Sequence, residues 1–451
     1  MDIQNLQKSI LNISPLDGRY NNKTKILKNY FSEYALFKYR LKIEIDYLLE
    51  LGKINIIEIN TKDSKTILDI YTNFSIKDIF SIKKIEDEIN HDIKALEYFI
   101  REKLEKKIEN KKILNFIHFA LTSQDINSSA YILSIKYFNC NELIPLLDSL
   151  LQSIQNQVIK TSSITILSKT HGQPASPTIL GKEFNVFYER LNNQIEKLKN
   201  IEYSTKFGGA TGNFNAHKFV YPDINWVEFS DNLVNNLGLK RNKYTTQIDH
   251  YDNYSEIFDI LRRINVILID FCQDIWLYIS NNYFKLKIVK KEVGSSAMPH
   301  KINPINFENG EGNLHLSNAL LQLFSNKLPV SRLQRDLTDS TILRNIGCAY
   351  GYMYIALLSI IDGIEKLDIN HEEIQKSLEN NYLVIAEGIQ SKLKALNIEN
   401  SYEKLKNITR NYSSISELKI NINNFIENLD IEQTQKDELL QLTPNNYNGI
   451  Y

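Results

Sequence analysis

IFDILRRINVILIDFCQDIWLYI, residues Ile257–Ile279, is the stretch on which the fold turns. Its apolar positions Ile257, Leu261, Ile264, Leu268, Cys272, Ile275 and Ile279 are spaced by 4, 3, 4, 4, 3 and 4. A strand would alternate with period 2. This spacing follows the helical period and predicts one helix of roughly six turns at 3.6 residues each. The segment is apolar on more than one side, which suits the centre of a bundle or of an assembly. It is the greasiest stretch on this reading, yet Asp270 and Asp274 interrupt it, so a buried helix is expected and not a membrane span.

The same rule holds elsewhere. Phe184, Phe187, Leu191, Ile195 and Leu198 form a seam suited to a neighbouring helix. The 451 residues contain only 16 Gly and 9 Pro, and such sparse breakers favour long helices. No sustained Val/Thr alternation points to a large sheet. The expected fold is all-α, a long central helical bundle flanked by two smaller helical domains. The expected division is 1–111, 112–364 for the bundle, and 365–451.

Composition excludes several classes. Lys+Arg is 53 and Asp+Glu is 54, a net charge of −1, so no global basic field calls for nucleic acid. No polybasic run calls for a membrane surface. Cys140, Cys272 and Cys348 are scattered and form no CxxC, which argues against a disulfide framework or zinc site and fits a reducing compartment. The start, MDIQNLQKSILNIS, has no long apolar core of a signal peptide, so a cytoplasmic location is expected.

Polar residues cluster where helices are expected to begin. Thr122-Ser123-Gln124-Asp125 is a capping box. Asn303-Pro304 reads as an N-cap followed by a proline at the first helical position. Ser176-Pro177, just after Thr170-His171-Gly172-Gln173, reads as the start of a third long helix. Helix N-termini attract anions, so three such starts suit a ligand with several negative groups. Gly208–Asn213 fits neither a P-loop nor a dinucleotide fingerprint and reads as a tight loop able to approach a ligand with its backbone. His118, His217, His315 and His371 read as structural or surface residues, and His250 is given no role.

The densest cluster is GSSAMPHKINPINFENGEGN, Gly294–Asn313. Gly294 gives its loop the freedom to close over a site and reopen. Lys301 sets a cation just ahead of a helix start. A serine beside such donors can have its alkoxide stabilised and can take a proton from a carbon next to a carboxylate.

These residues carry a family resemblance. GSSAMPHKINP resembles the signature of the fumarase/aspartase superfamily, whose members eliminate fumarate from a succinyl-bearing substrate. Within it, SPLDGRY, NHDIKALEYF, HFALTSQDIN, THGQPASP, YTTQI and KLPVSRLQRDLTDSTILRN resemble the bacterial adenylosuccinate lyases, from near the N-terminus to LTPNNY at the end. His300 agrees, where fumarases tend to have Gly and argininosuccinate lyases Gln. Gln124, where Glu is common, Ala297, where Thr is common, and His250, where Pro is expected, are the departures.

The resemblance implies fumarate elimination from adenylosuccinate and from SAICAR, the succinylated aminoimidazole carboxamide ribotide, in purine nucleotide biosynthesis. No metal or organic cofactor is implied. Ser295 would be the carbon base, His171 the acid, and His91 an assistant in substrate binding, with Asn90 and Asp92 beside it. Lys301 and Asn303, with helix-end N–H groups, would hold the carbanion, and Asn309 would bind substrate. Arg19, Tyr20, Arg335, Ser340 and Arg344 would hold phosphate and ribose, and Thr122, Ser123, Gln247 and Ser296 the succinyl carboxylates. A homotetramer is implied, with the TSQD, THGQP and GSSAMPHK regions of one site supplied by three chains. Another lyase of the superfamily, such as an argininosuccinate lyase, and a non-catalytic descendant are the rival readings.

Overall fold

A computed structural model describes residues 10–287, 298, 301–410 and 412–451. Ser295, Ser296, His300 and the loop expected to close over the site lie outside the described residues. Helices dominate, and the described strands form three two-stranded sheets. The chain divides into two compact units, each built from three separate stretches. One holds residues up to Asp148, Asn193–Ile269 and Gly310–Leu358; the other holds Ser149–Asn192, Asp270–Asn309 and Ser359–Tyr451. The long helices among the described residues include Ile144–Lys160, Leu180–Lys199, Asp252–Ser280, Ile305–Lys327 and Ile346–Glu365.

The Ile257–Ile279 reading is met by a single 29-residue helix, Asp252–Ser280. Ile257, Phe258, Leu261, Ile264 and Leu268 are wholly buried. At roughly 1.5–3 kcal/mol per buried side chain, that stripe alone outweighs the helix's modest local propensity. A second side is apolar but uncovered in the single chain, since Val266, Trp276 and Leu277 are exposed. The Phe184–Leu198 seam is also buried.

Two expectations are corrected. Among the described residues, the stretch long and apolar enough to resemble a membrane span is Thr338–Glu365, not the segment containing Asp270 and Asp274. Its Ala349, Met353, Ile355, Ala356, Leu357 and Ile360 are wholly buried, as in a core helix. Ser176-Pro177 opens no helix. Both residues lie in strand Gln173–Ile179, which pairs antiparallel with Thr165–Thr170, and the helix starts only at Leu180. Pro174 and Pro177 each push the residue before them into an extended conformation and offer no N–H, so a strand wins over the first helical turn.

Candidate active site

Helix Ile76–Ile89 ends at Asn90, whose left-handed conformation (φ 53°) reverses the chain. His91 then caps helix Asp92–Glu105, its Nδ1 accepting the Lys94 N–H at 3.1 Å. A neutral His91 therefore carries its proton on Nε2. The ring is exposed. Beside it Asp92 accepts a hydrogen bond from Arg40 at 2.8 Å, and Arg40 also donates to Asn127 at 2.8 Å. Burial pushes the Asp92 carboxyl up, but the Arg40 guanidinium and the Ile93 N–H outweigh it and hold the group below its ordinary value. Arg40, Asp92, Tyr131 and Arg344 share the wall of a cavity of about 200 Å³.

The Thr122 capping box forms as the sequence predicts, and helix Ser123–Phe138 follows it. Asp125 is wholly buried. It accepts the Thr122 N–H at 2.9 Å, Lys206 Nζ at 2.6 Å, and the N–H groups of Gly208 at 2.8 Å and Gly209 at 3.2 Å. Lys206, equally buried, donates also to the Gly209 carbonyl at 2.6 Å. Burial draws the Lys206 ammonium below its ordinary range despite the attraction of Asp125. The glycine loop then touches the next segment. Gly212 has φ +81°, and a Cβ there would stand 2.3 Å from the Thr245 carbonyl oxygen. Two residues on, Gln247 accepts from Arg335 at 3.2 Å. Asp339, buried, takes the Tyr251 hydroxyl at 2.9 Å and the Ser340 N–H at 2.7 Å.

Of the expected residues, His91, Asp92, Thr122, Gln247, Arg335 and Ser340 thus meet specific neighbours within one unit. Ser123 begins its helix, and Arg344 follows helix Thr338–Leu343. Arg19 is exposed, and Tyr20 sits in a turn where its N–H donates to the Pro15 carbonyl at 2.9 Å.

The other unit carries His171. With φ +53° it pairs with Gly172 (φ +74°) as the two central residues of the hairpin 165–179. Both are left-handed, the geometry of a tight hairpin turn. His171 is exposed at the tip. Lys301 precedes helix Ile305–Lys327, its N–H donating to the Met298 carbonyl at 3.0 Å. Asn303 stands two residues before that helix and Asn309 in its first turns. The helix begins one residue later than Asn303-Pro304 suggests, which is within the ambiguity of helix ends.

Arg40, Lys206, Tyr251 and Asp339 were not anticipated from sequence. Arg40 had a signal: with Glu44 and Tyr47 it occupies the buried stripe of helix Glu33–Lys53, among Phe37, Leu41, Ile43 and Leu48. A charge in a core register requires a partner. The structural histidines are explained too. His118 Nδ1 lies 2.6 Å from Glu44, and His217 is buried beside Tyr47 at 3.2 Å. Burial pulls His217 down to about 4.

Comparison with known proteins supplies the context. Residues 18–316 match a family model described as lyase, and residues 331–448 one described as adenylosuccinate lyase C-terminal. An adenylosuccinate lyase of Dictyostelium discoideum is 49% identical, covering 97% of this chain and 96% of its own length. One from Escherichia coli K12 is 44% identical, covering 98% and 97%. By fold, the 3-carboxy-cis,cis-muconate lactonizing enzyme of Pseudomonas putida superposes with a TM-score of 0.74 at 17% identity, over 94% of both chains. A fumarate lyase from Mesorhizobium does so at 0.71 and 15%, over 94% of this chain and 95% of its own. Matched nearly end to end at such identity, the chain belongs to the adenylosuccinate lyases, carbon–nitrogen lyases of the fumarase/aspartase superfamily.

Proposed function

We propose that the chain splits adenylosuccinate into AMP and fumarate, and SAICAR into AICAR and fumarate. The observation that carries this reading is the end-to-end match to adenylosuccinate lyases, C-terminal region included. Ser295, as alkoxide, takes the proton from the carbon beside a succinyl carboxylate. The electron pair passes into that carboxylate as an aci-carbanion, held by Lys301, Asn303 and helix-end N–H groups. Collapse to the fumarate double bond breaks the C–N bond, and His171 delivers a proton to the leaving nitrogen. His91 binds and orients the substrate. Thr122, Ser123, Gln247 and Ser296 hold the succinyl carboxylates. Arg19, Tyr20, Arg335, Ser340 and Arg344 hold phosphate and ribose, for which the arginine fork is suited. Asn90, Asp92 and Asn309 complete the substrate contacts. The chemistry calls on no cofactor.

The working enzyme in this reading is a cytoplasmic homotetramer with sites shared among subunits. The exposed apolar residues Val266 and Leu277 on one long helix, and Leu316 and Leu323 on another, support burial against further copies of the chain. Residues 1–111 and 365–451 would flank a bundle made from 112–364. The direct test is turnover of purified protein on adenylosuccinate, SAICAR and argininosuccinate, read as fumarate released. Activity on adenylosuccinate and SAICAR alone is expected. Release from argininosuccinate alone, or from none, overturns the reading.

A further inference from the structure

We infer that Lys206 is a positioning residue for the Thr122–Ser123 subsite, acting through Asp125. The inference deepens the proposed reading and rests on its claim that Thr122 and Ser123 hold a succinyl carboxylate.

Three observations carry it. First, Asp125 is over-determined. Its two oxygens collect the Thr122 N–H, the Gly208 and Gly209 N–H groups and the Lys206 ammonium, all within 3.2 Å. The residue that fixes the start of helix Ser123–Phe138 is thus itself fixed by a charge 81 residues away in sequence. Second, Lys206 closes the ring from the other side. Its donation to the Gly209 carbonyl at 2.6 Å clamps the residue whose own N–H already faces Asp125, so the peptide groups on both sides of Gly209 are held. Gly209 has φ +77°, so the loop turns at the clamped residue. Third, both charges are at 0% exposure.

That last fact decides what the pair is for. Removing two charges from water costs several kcal/mol per ion, and a buried pair seldom stabilises a fold more than apolar residues of equal volume would. Stability alone is therefore a poor reason for Lys206. Geometry is a better one. An ammonium has three donors and can hold the Asp125 carboxylate and the Gly209 carbonyl together, which an apolar side chain cannot. A carboxylate-binding helix start must be held to within a fraction of an ångström, and small misplacements cost rate steeply.

The experiment compares Lys206→Met with the isosteric neutral pair Asp125→Asn/Lys206→Met, using full-length protein. Lys206→Met alone leaves a buried carboxylate unpaired and is expected to lower the melting temperature strongly. The double variant removes both charges and is expected to recover most of that temperature. Its readouts are kcat/KM for adenylosuccinate and inhibition by fumarate and by AMP, measured separately. Loss of kcat/KM by roughly 10–100-fold is expected. Fumarate inhibition should weaken by a similar factor, while AMP inhibition changes less than about twofold, as a misplaced carboxylate subsite requires. A double variant whose stability and fumarate inhibition both return to wild type overturns the inference, as does equal weakening for fumarate and AMP. Should neither variant fold, the pair is a folding requirement and the positioning role is refuted. Ser123→Ala separates this outcome from failure of the underlying reading: unchanged fumarate inhibition there removes the subsite itself.

Discussion

The base beneath Thr122 and the hairpin that carries His171 are built on opposite plans. The first is sealed. Asp125 and Lys206 are wholly buried, and Gly212 is pressed against the Thr245 carbonyl. The second is open. His171 stands exposed at a left-handed turn, and nothing lies within 4 Å of where a Gly172 side chain would begin. Groups that recognise a substrate can be locked in place by buried charge. In the proposed roles, the group that exchanges protons with substrate and solvent, His171, is presented on a tip and held by its turn.

The largest effects are expected on the proposed chemistry. His171→Ala and Ser295→Ala should each lose roughly 10²–10⁴-fold in turnover while the fold persists. His171→Ala should also lose one limb of the pH–rate profile. Near-normal turnover in either variant removes that residue from its role. Next comes Gly212→Ala, where φ +81° and a 2.3 Å approach to the Thr245 oxygen both oppose a methyl group. The left-handed conformation and the overpacking together predict a loss of about 2–4 kcal/mol in denaturant unfolding. A loss below about 1 kcal/mol would show that the sealed region yields easily.

His217 tests the same seal by pH. The folded chain holds its imidazole neutral down to about 4, against an ordinary value of 6.5. Above pH 6.5 both states leave it neutral and it contributes no pH dependence. Between 6.5 and 4 the unfolded chain takes a proton that the folded chain refuses, so stability falls as pH falls, by up to about 3 kcal/mol. His217→Gln should flatten that slope in unfolding measured across the range; an unchanged slope would mean the ring is protonated where it sits. His118 runs the other way. Burial lowers it, but Glu44 prevails and raises it, so its contribution is full below the unfolded value and fades as pH rises through the folded one. The smallest effect is expected at the open hairpin. Gly172→Ala meets no neighbour and should cost only the left-handed conformation, about 1–2 kcal/mol.

Much of this was legible in the sequence where the signal is local. The 3–4 spacing of Ile257–Ile279 became a helix, and Thr122–Asp125 became a capping box. Ser176-Pro177 misled because a proline after serine suits both a helix start and a strand. The choice was made by the second proline, Pro174, and by the tight turn ahead of it. Lys206 was invisible for a different reason. Its partner is 81 residues away, and only the fold brings them together. Arg40 stood between, since a charge in a buried stripe announces that a partner exists without naming Asp92.

In the proposed tetramer, His171 and Ser295 serve one elimination from different subunits. The most direct measurement mixes inactive His171→Ala with inactive Ser295→Ala, dissociates them mildly and reassembles them. A site with both native groups draws each from the opposite variant, with chance one half each, so about a quarter of wild-type activity should return. With subunit exchange verified independently, a mixture that stays inactive would contradict the shared site.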